Sequence, residues 1–168
     1  DTAVIDVDGD GRKDLVLGRC ASTEVWIASA GKIGDSYCGP ATLNSSGNPA
    51  SIEAFGSTQA DLNDLRLVAS GMPIGQSGYF LTSQNPGFSM PASSQGNLCL
   101  GSGIGRFVQS VKQADSNGQF DLTVDLSALP PNSTPVLTGE THHFQAWFRD
   151  TNPTSTSNFT DGVAILYE

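Results

Sequence analysis

The sequence predicts an all-β protein: an antiparallel β-sandwich or jelly-roll-like domain preceded by a β-hairpin that carries an acidic loop. Three observations lead there. Short apolar runs recur roughly every ten residues, turn-forming residues separate them, and one run alternates apolar and polar side chains as a half-buried strand does. Only 15% of residues are charged while 19 are Gly and 9 are Pro, a texture of short strands joined by turns rather than of long helices. At 168 residues the chain can bury a core without a dense disulfide scaffold.

The first 30 residues have a character of their own. A strand-like TAVIDV, an acidic loop, a strand DLVLG and a further strand TEVWIASA form one hairpin-like unit (1–30). GKIGDSYCGPATLNSSGNP reads as a junction loop (31–49). The sandwich domain (50–168) follows, with β-patterned runs SIEAFG, DLRLVASG, GYFLTSQ, NLCLGSGIGRFVQSV, FDLTVDLS, THHFQAWFRD and VAILYE. In FDLTVDLS, Phe120, Leu122, Val124 and Leu126 share one face and Asp121, Thr123 and Asp125 the other. DSNG at 115–118 predicts a hairpin turn, with Asn117 and Gly118 supplying positive φ. Pro130 with Pro131, and Asn152 with Pro153, break strands. ADLNDLRL (60–67) fits a helix or a strand equally well, and GSGIG (101–105) lacks the strand-to-helix setting of a phosphate loop, so it reads as a strand kink or bulge.

The strongest chemical signal is DVDGDGRKD at 6–14. Asp6, Asp8 and Asp10 alternate, Gly11 follows and Asp14 closes the set. Ca²⁺ takes six to eight oxygens, and a tight loop wraps alternate side chains around it where a Gly permits the sharp turn. The Arg12 carbonyl falls at the seventh position of the loop. Four carboxylates this close repel one another without a cation, so binding and local folding are expected to be coupled. An EF-hand requires a bidentate Glu at the twelfth position, which here is Leu17.

The loop enters a strand instead, and in this it resembles the FG-GAP or integrin-type calcium repeat, whose DxDxDG loop precedes a strand of a β-propeller blade. The resemblance covers residues 3–30 and implies Asp6, Asp8, Asp10 and Asp14 as side-chain ligands and Arg12 as a carbonyl ligand. A propeller needs several blades and this chain has one. The loop is then either the tail of a lost propeller or a hairpin recruited to the main domain.

Cys20, Cys38 and Cys99 leave one cysteine over if a disulfide forms, and none has a metal-ligand partner nearby. One structural disulfide with one buried thiol is the expectation. Cys38 with Cys99 is the favoured pair, because each lies in a Gly-rich segment (YCGP, NLCLG) of the kind that ends strands; alternatively, the leftover Cys20 bonds another chain. The segments YCGPATLNSSGNPASI, DLRLVASGMP, GYFLTS, GNLCLGSGIGRF and HHFQAWFRDTNPTSTSNFTDGVAILYE resemble a domain at the C-terminal ends of large secreted or surface proteins of environmental bacteria, often following FG-GAP repeats. That resemblance spans 37–168, implies export and a modular architecture, assigns no active site, and supports the Cys38–Cys99 pairing.

A net charge of −9 with no basic cluster disfavours nucleic acid and anionic membrane surfaces. No run approaches the ~18 apolar residues of a membrane span. The sequence starts at Asp1 with no signal peptide, so an export signal, a larger upstream portion, or both are expected to have been removed or left out. His142 and His143 are adjacent and so point to opposite faces of a strand, no GxSxG elbow is present, and no pair of carboxylates stands out; the chain reads as a non-enzyme. Tyr79, Phe144, Trp147 and Phe148 are candidates for a sugar-stacking platform, although Trp147 and Phe148 must face opposite ways. Sequons at Asn44, Asn132 and Asn158 lie in loop-like stretches open to glycosylation. The function expected is a secreted, calcium-stabilised structural or adhesive module, a subunit of a surface or filamentous assembly built from copies of itself or other surface proteins. The alternative is a carbohydrate-binding accessory domain of a larger secreted enzyme, with polysaccharide as the partner.

Overall fold

The computed structural model describes residues 1–7, 13–27 and 31–168. The chain divides into two compact units, Asp1–Gly31 and Lys32–Glu168. The first is a three-stranded antiparallel meander of β1 (Thr2–Ile5), β2 (Asp14–Arg19) and β3 (Ser22–Trp26). Its register places Val4, Leu15 and Trp26 in one row on one face, and Ala3, Val16 and Val25 in a row on the other. Both faces are therefore apolar, and Val4, Val25 and Trp26 are exposed, Trp26 at 63%.

The second unit is all-β. Its strands are β4 (Lys32–Ile33), β5 (Asp35–Tyr37), β6 (Ser51–Gly56), β7 (Leu65–Ser70), β8 (Ser77–Ser83), β9 (Pro86–Ser89), β10 (Leu98–Leu100), β11 (Gly105–Arg106), β12 (Lys112–Gln113), β13 (Phe120–Val124), β14 (Thr141–Thr151) and β15 (Ser155–Leu166). A four-stranded antiparallel sheet runs in the order β13-β7-β6-β4. A six-stranded one runs β11-β8-β14-β15-β5, with β12 also pairing β8, and β9 with β10 forms a separate ribbon.

The two large sheets bury one core between them, as layered β-domains must. Ile52 and Ala54 on β6, Leu65, Leu67 and Ala69 on β7, and Phe120 and Val124 on β13 meet Phe80 on β8, Phe144, Ala146 and Phe148 on β14, and Val163 and Ile165 on β15. Phe80 and Phe120 join the sheets edge to face, with ring centroids 5.2 Å apart. The alternation through 120–126 is as the sequence implies, with Phe120, Val124 and Leu126 buried and Leu122 packed against the same cluster.

Three local readings change. The stretch 31–49 is not all junction: β4 pairs with β6 and β5 with β15, so residues 32–37 pass from one sheet to the other along one lateral edge. Gly34 makes the crossing at φ +75°, and a Cβ on it would stand 2.7 Å from the Ala164 carbonyl oxygen, so no larger residue fits. Strands of two and three residues are too short to leave a periodic signal. At 60–67, a 3₁₀ turn (Ala60–Leu62) ends at Asn63, in the left-handed region, before β7 begins.

The turn at 115–118 forms, but it does not close a hairpin. Gly118 N–H donates to the Asp115 carbonyl, and the Asp115 carboxylate accepts from Asn117 and Gln119 N–H. Only Gly118 has positive φ. The strands it joins, β12 and β13, belong to different sheets, so the turn bridges the sandwich edge opposite residues 32–37.

Candidate functional site

The aspartate loop connects β1 to β2. Asp6 follows β1 and is exposed. Asp14, the first residue of β2, is 1% exposed, and its Oδ2 accepts the Val7 N–H at 2.7 Å. Its carboxylate thus turns back toward the start of the loop. Asp8, Asp10 and Arg12 lie outside the described residues; among those described, no group of three or more potential metal ligands converges. By residue type, the aspartates that the sequence puts in this loop suit a hard cation.

Cys38 and Cys99 are disulfide-bonded across 61 residues, with Cα atoms 6.3 Å apart. Cys20 is an exposed thiol on the β2–β3 turn, not a buried one, because a two-residue turn on a thin meander offers nothing to cover it. The disulfide ties the end of β5 to β10, which lies over the outer face of the six-stranded sheet. A second anchor is Gln145, completely buried on β14. Its amide donates to the carbonyls of Asn97 and Thr160, at 2.9 and 2.7 Å, and accepts from Cys99 N–H at 2.9 Å. A buried amide with these partners filled is an expensive element to disturb.

Beneath β10, the outer face carries a second apolar cluster. Leu81, Leu100 and Phe159 are buried, with Tyr79, Leu98, Ile104 and Trp147 packed against them. Tyr79 and Trp147 are register partners on β8 and β14, with ring centroids 4.9 Å apart and planes tilted by 35°. A hollow of about 220 Å³ opens beside them, lined by Tyr79, Leu81, Leu98, Ile104, Trp147 and Phe159, with Arg106 at its edge. Arg149 lies over the Trp147 ring, its Cζ 6.0 Å from the centroid. Of the four aromatics considered for a platform, the structure brings Tyr79 and Trp147 together and puts Phe144 and Phe148 in the core.

His142 on the core side of β14 is hydrogen-bonded through Nε2 to Glu140 Oε2 at 3.2 Å. Next to it, His143 is 8% exposed on the opposite face and meets Tyr37 edge to face at 5.4 Å. Burial lowers the His143 pKa, opposed by a hydrogen bond with the Ser83 backbone, and burial pushes the Tyr37 hydroxyl up to about 12. A base whose folded pKa lies below its unfolded value costs stability as pH falls beneath the unfolded value, near 6.5. Melting temperature is therefore expected to fall as pH drops below about 6.5, and His143→Gln should flatten that slope while lowering stability at pH 8.

Two of the three sequons change meaning. Asn44 is buried, its Nδ2 donating to the Gly71 carbonyl, and Asn158 is fully buried in β15 with its amide toward the Thr42 and Leu43 carbonyls. Only Asn132 is exposed.

Comparison with family models, curated proteins and solved structures finds no match to this chain. Arg106, Arg149 and Gln145 are the residues that sequence reasoning passed over. The W-x-R spacing places Arg149 beside Trp147 on a strand face and was a usable signal. Arg106 arrives from a two-residue strand, and nothing local marks it.

Proposed function

We infer that this chain is a non-catalytic, calcium-binding structural or adhesive module of an extracellular protein. What supports the calcium reading is the pairing of the D-x-D-x-D-G-x-x-D pattern with a buried Asp14 whose carboxylate turns back to the Val7 N–H at the opposite end of the same loop. The ion would fasten the β1–β2 connection, supplying attraction where the carboxylates alone supply repulsion. Its residues would be Asp6, Asp8, Asp10 and Asp14 by side chain and Arg12 by carbonyl.

The Cys38–Cys99 disulfide fits an extracellular or otherwise oxidising compartment. No helix among the described residues is long and apolar enough to cross a membrane. Assembly is supported by the meander, since a sheet apolar on both faces gains by burying them against neighbouring layers.

In calcium at about 100 times its Kd, the protein should gain about 2.7 kcal/mol of stability. Asp10→Ala should remove that gain and leave melting in chelator unchanged; equal melting shifts in calcium and in chelator would count against the clamp. Light scattering at high protein concentration, in calcium and then in chelator, tests assembly. A monomer under both conditions excludes calcium-dependent association.

A further inference from the structure

The hollow beside Tyr79 and Trp147 has a chemistry that the calcium module leaves unused. Its walls are aliphatic and aromatic, and no acidic side chain lines it. A saccharide brings a ring of hydroxyl groups that need donors and acceptors, and among the lining side chains only the Tyr79 hydroxyl, the Trp147 indole N–H and the Arg106 guanidinium are polar, with the Tyr79 oxygen the one acceptor.

The arginines are the second observation. The chain carries a net charge of −9 and has few cations to place. In the second unit, Lys32 and Arg66 are paired with Glu53 and Asp121. Arg106 and Arg149 have no carboxylate partner among the described residues, and both stand at the aromatic pair, one at the edge of the hollow and one over the Trp147 ring. Lys112, also without an acid partner, is in register with Gly78, whose missing side chain would point at Phe120 in the core, so it belongs to the other face.

The hollow is also held in shape. Leu98 forms its wall from β10, which the disulfide at Cys99 and the Gln145 amide fix to the sheet. Such preorganisation lowers the ordering cost of binding.

The geometry points to a binding site for a small amphipathic carboxylate, a cyclic or branched hydrocarbon body seated on Tyr79 and Trp147 with its anion toward Arg106 and Arg149. This is independent of the calcium reading. Guanidinium and carboxylate make charge-assisted, often bidentate hydrogen bonds, and the apolar body replaces water on the aromatic faces.

Trp26→Phe protein leaves Trp147 as the only tryptophan and hence as the fluorescent reporter. Titration with 3-cyclohexylpropionate, which neither absorbs nor emits there, should give a saturable change in Trp147 emission. The matching alcohol, 3-cyclohexylpropanol, should bind about tenfold more weakly, the worth of one charged hydrogen bond. Arg106→Gln or Arg149→Gln should erase the acid's advantage and leave the alcohol's affinity as it was. Both arginines are exposed, so the folded state should survive either change. Equal affinity for acid and alcohol, an advantage that survives both substitutions, or no saturable change overturns the assignment. Tighter binding of methyl glucuronide or cellobiose overturns it in favour of a saccharide site.

Discussion

Replacing Cys38 and Cys99 together with alanine is expected to cost about 4 kcal/mol and to lower the melting temperature by on the order of 10 °C. The bond closes a loop with a sequence separation of 61 residues, and the chain-entropy model assigns about that much to a loop of this length. A local effect adds to it. Cys99 is buried on β10, where a lost sulfur leaves a small void, and the same change unties the ribbon from β5. Denaturant unfolding with and without reductant checks the result. A change under about 1 kcal/mol would mean that Gln145 and the apolar cluster hold β10 unaided.

Phe80→Ala should cost about as much, in the range of 3–5 kcal/mol. Phe80 has no exposed surface and is the aromatic ring through which β8 meets Phe120 of the facing sheet. Truncation removes buried apolar area and an edge-to-face contact, and sheets fixed by ladders on both sides cannot close the gap. The urea midpoint should fall at constant slope, since the surface exposed on unfolding hardly changes. A loss near 1 kcal/mol would show that the sheets relax inward. At the exposed Phe88, the same substitution should be nearly neutral.

What can be read from the sequence is whatever a strand writes locally. The Phe120 to Leu126 alternation, the breaks at Pro130 and Asn152, and the aspartate spacing are all settled within a few residues by side-chain period or turn chemistry. Whatever depends on a distant partner is hidden. Tyr79 meets Trp147 only because the β8–β14 ladder takes one particular register, and no neighbour in sequence records it. Asn44 and Asn158 carry sequons that look like loop positions, yet their amides answer carbonyls at Gly71, Thr42 and Leu43. β4 and β5 owe their existence to the strands beside them, so residues 32–37 look like linker. DSNG marks a turn and the positive φ of Gly118, but not that Asn117 keeps negative φ or that the strands leaving it part to different sheets.

The crossing at residues 32–37 also decides how the second unit bears tension. β5 is antiparallel to β15, with Asp35 opposite Ala164 and Tyr37 opposite Gly162. A pull on Lys32 and Glu168 therefore loads the two β4–β6 pairs at Lys32 and Ile33 and then the β5–β15 ladder at one end, opening it pair by pair, the weakest way to stress a sheet edge. The tear runs only as far as Cys38, where the covalent bond to Cys99 passes the force to β10. About 20 Å of chain can pay out before that stop, so the edge yields like a short tether and leaves the core between Phe80 and Phe120 closed.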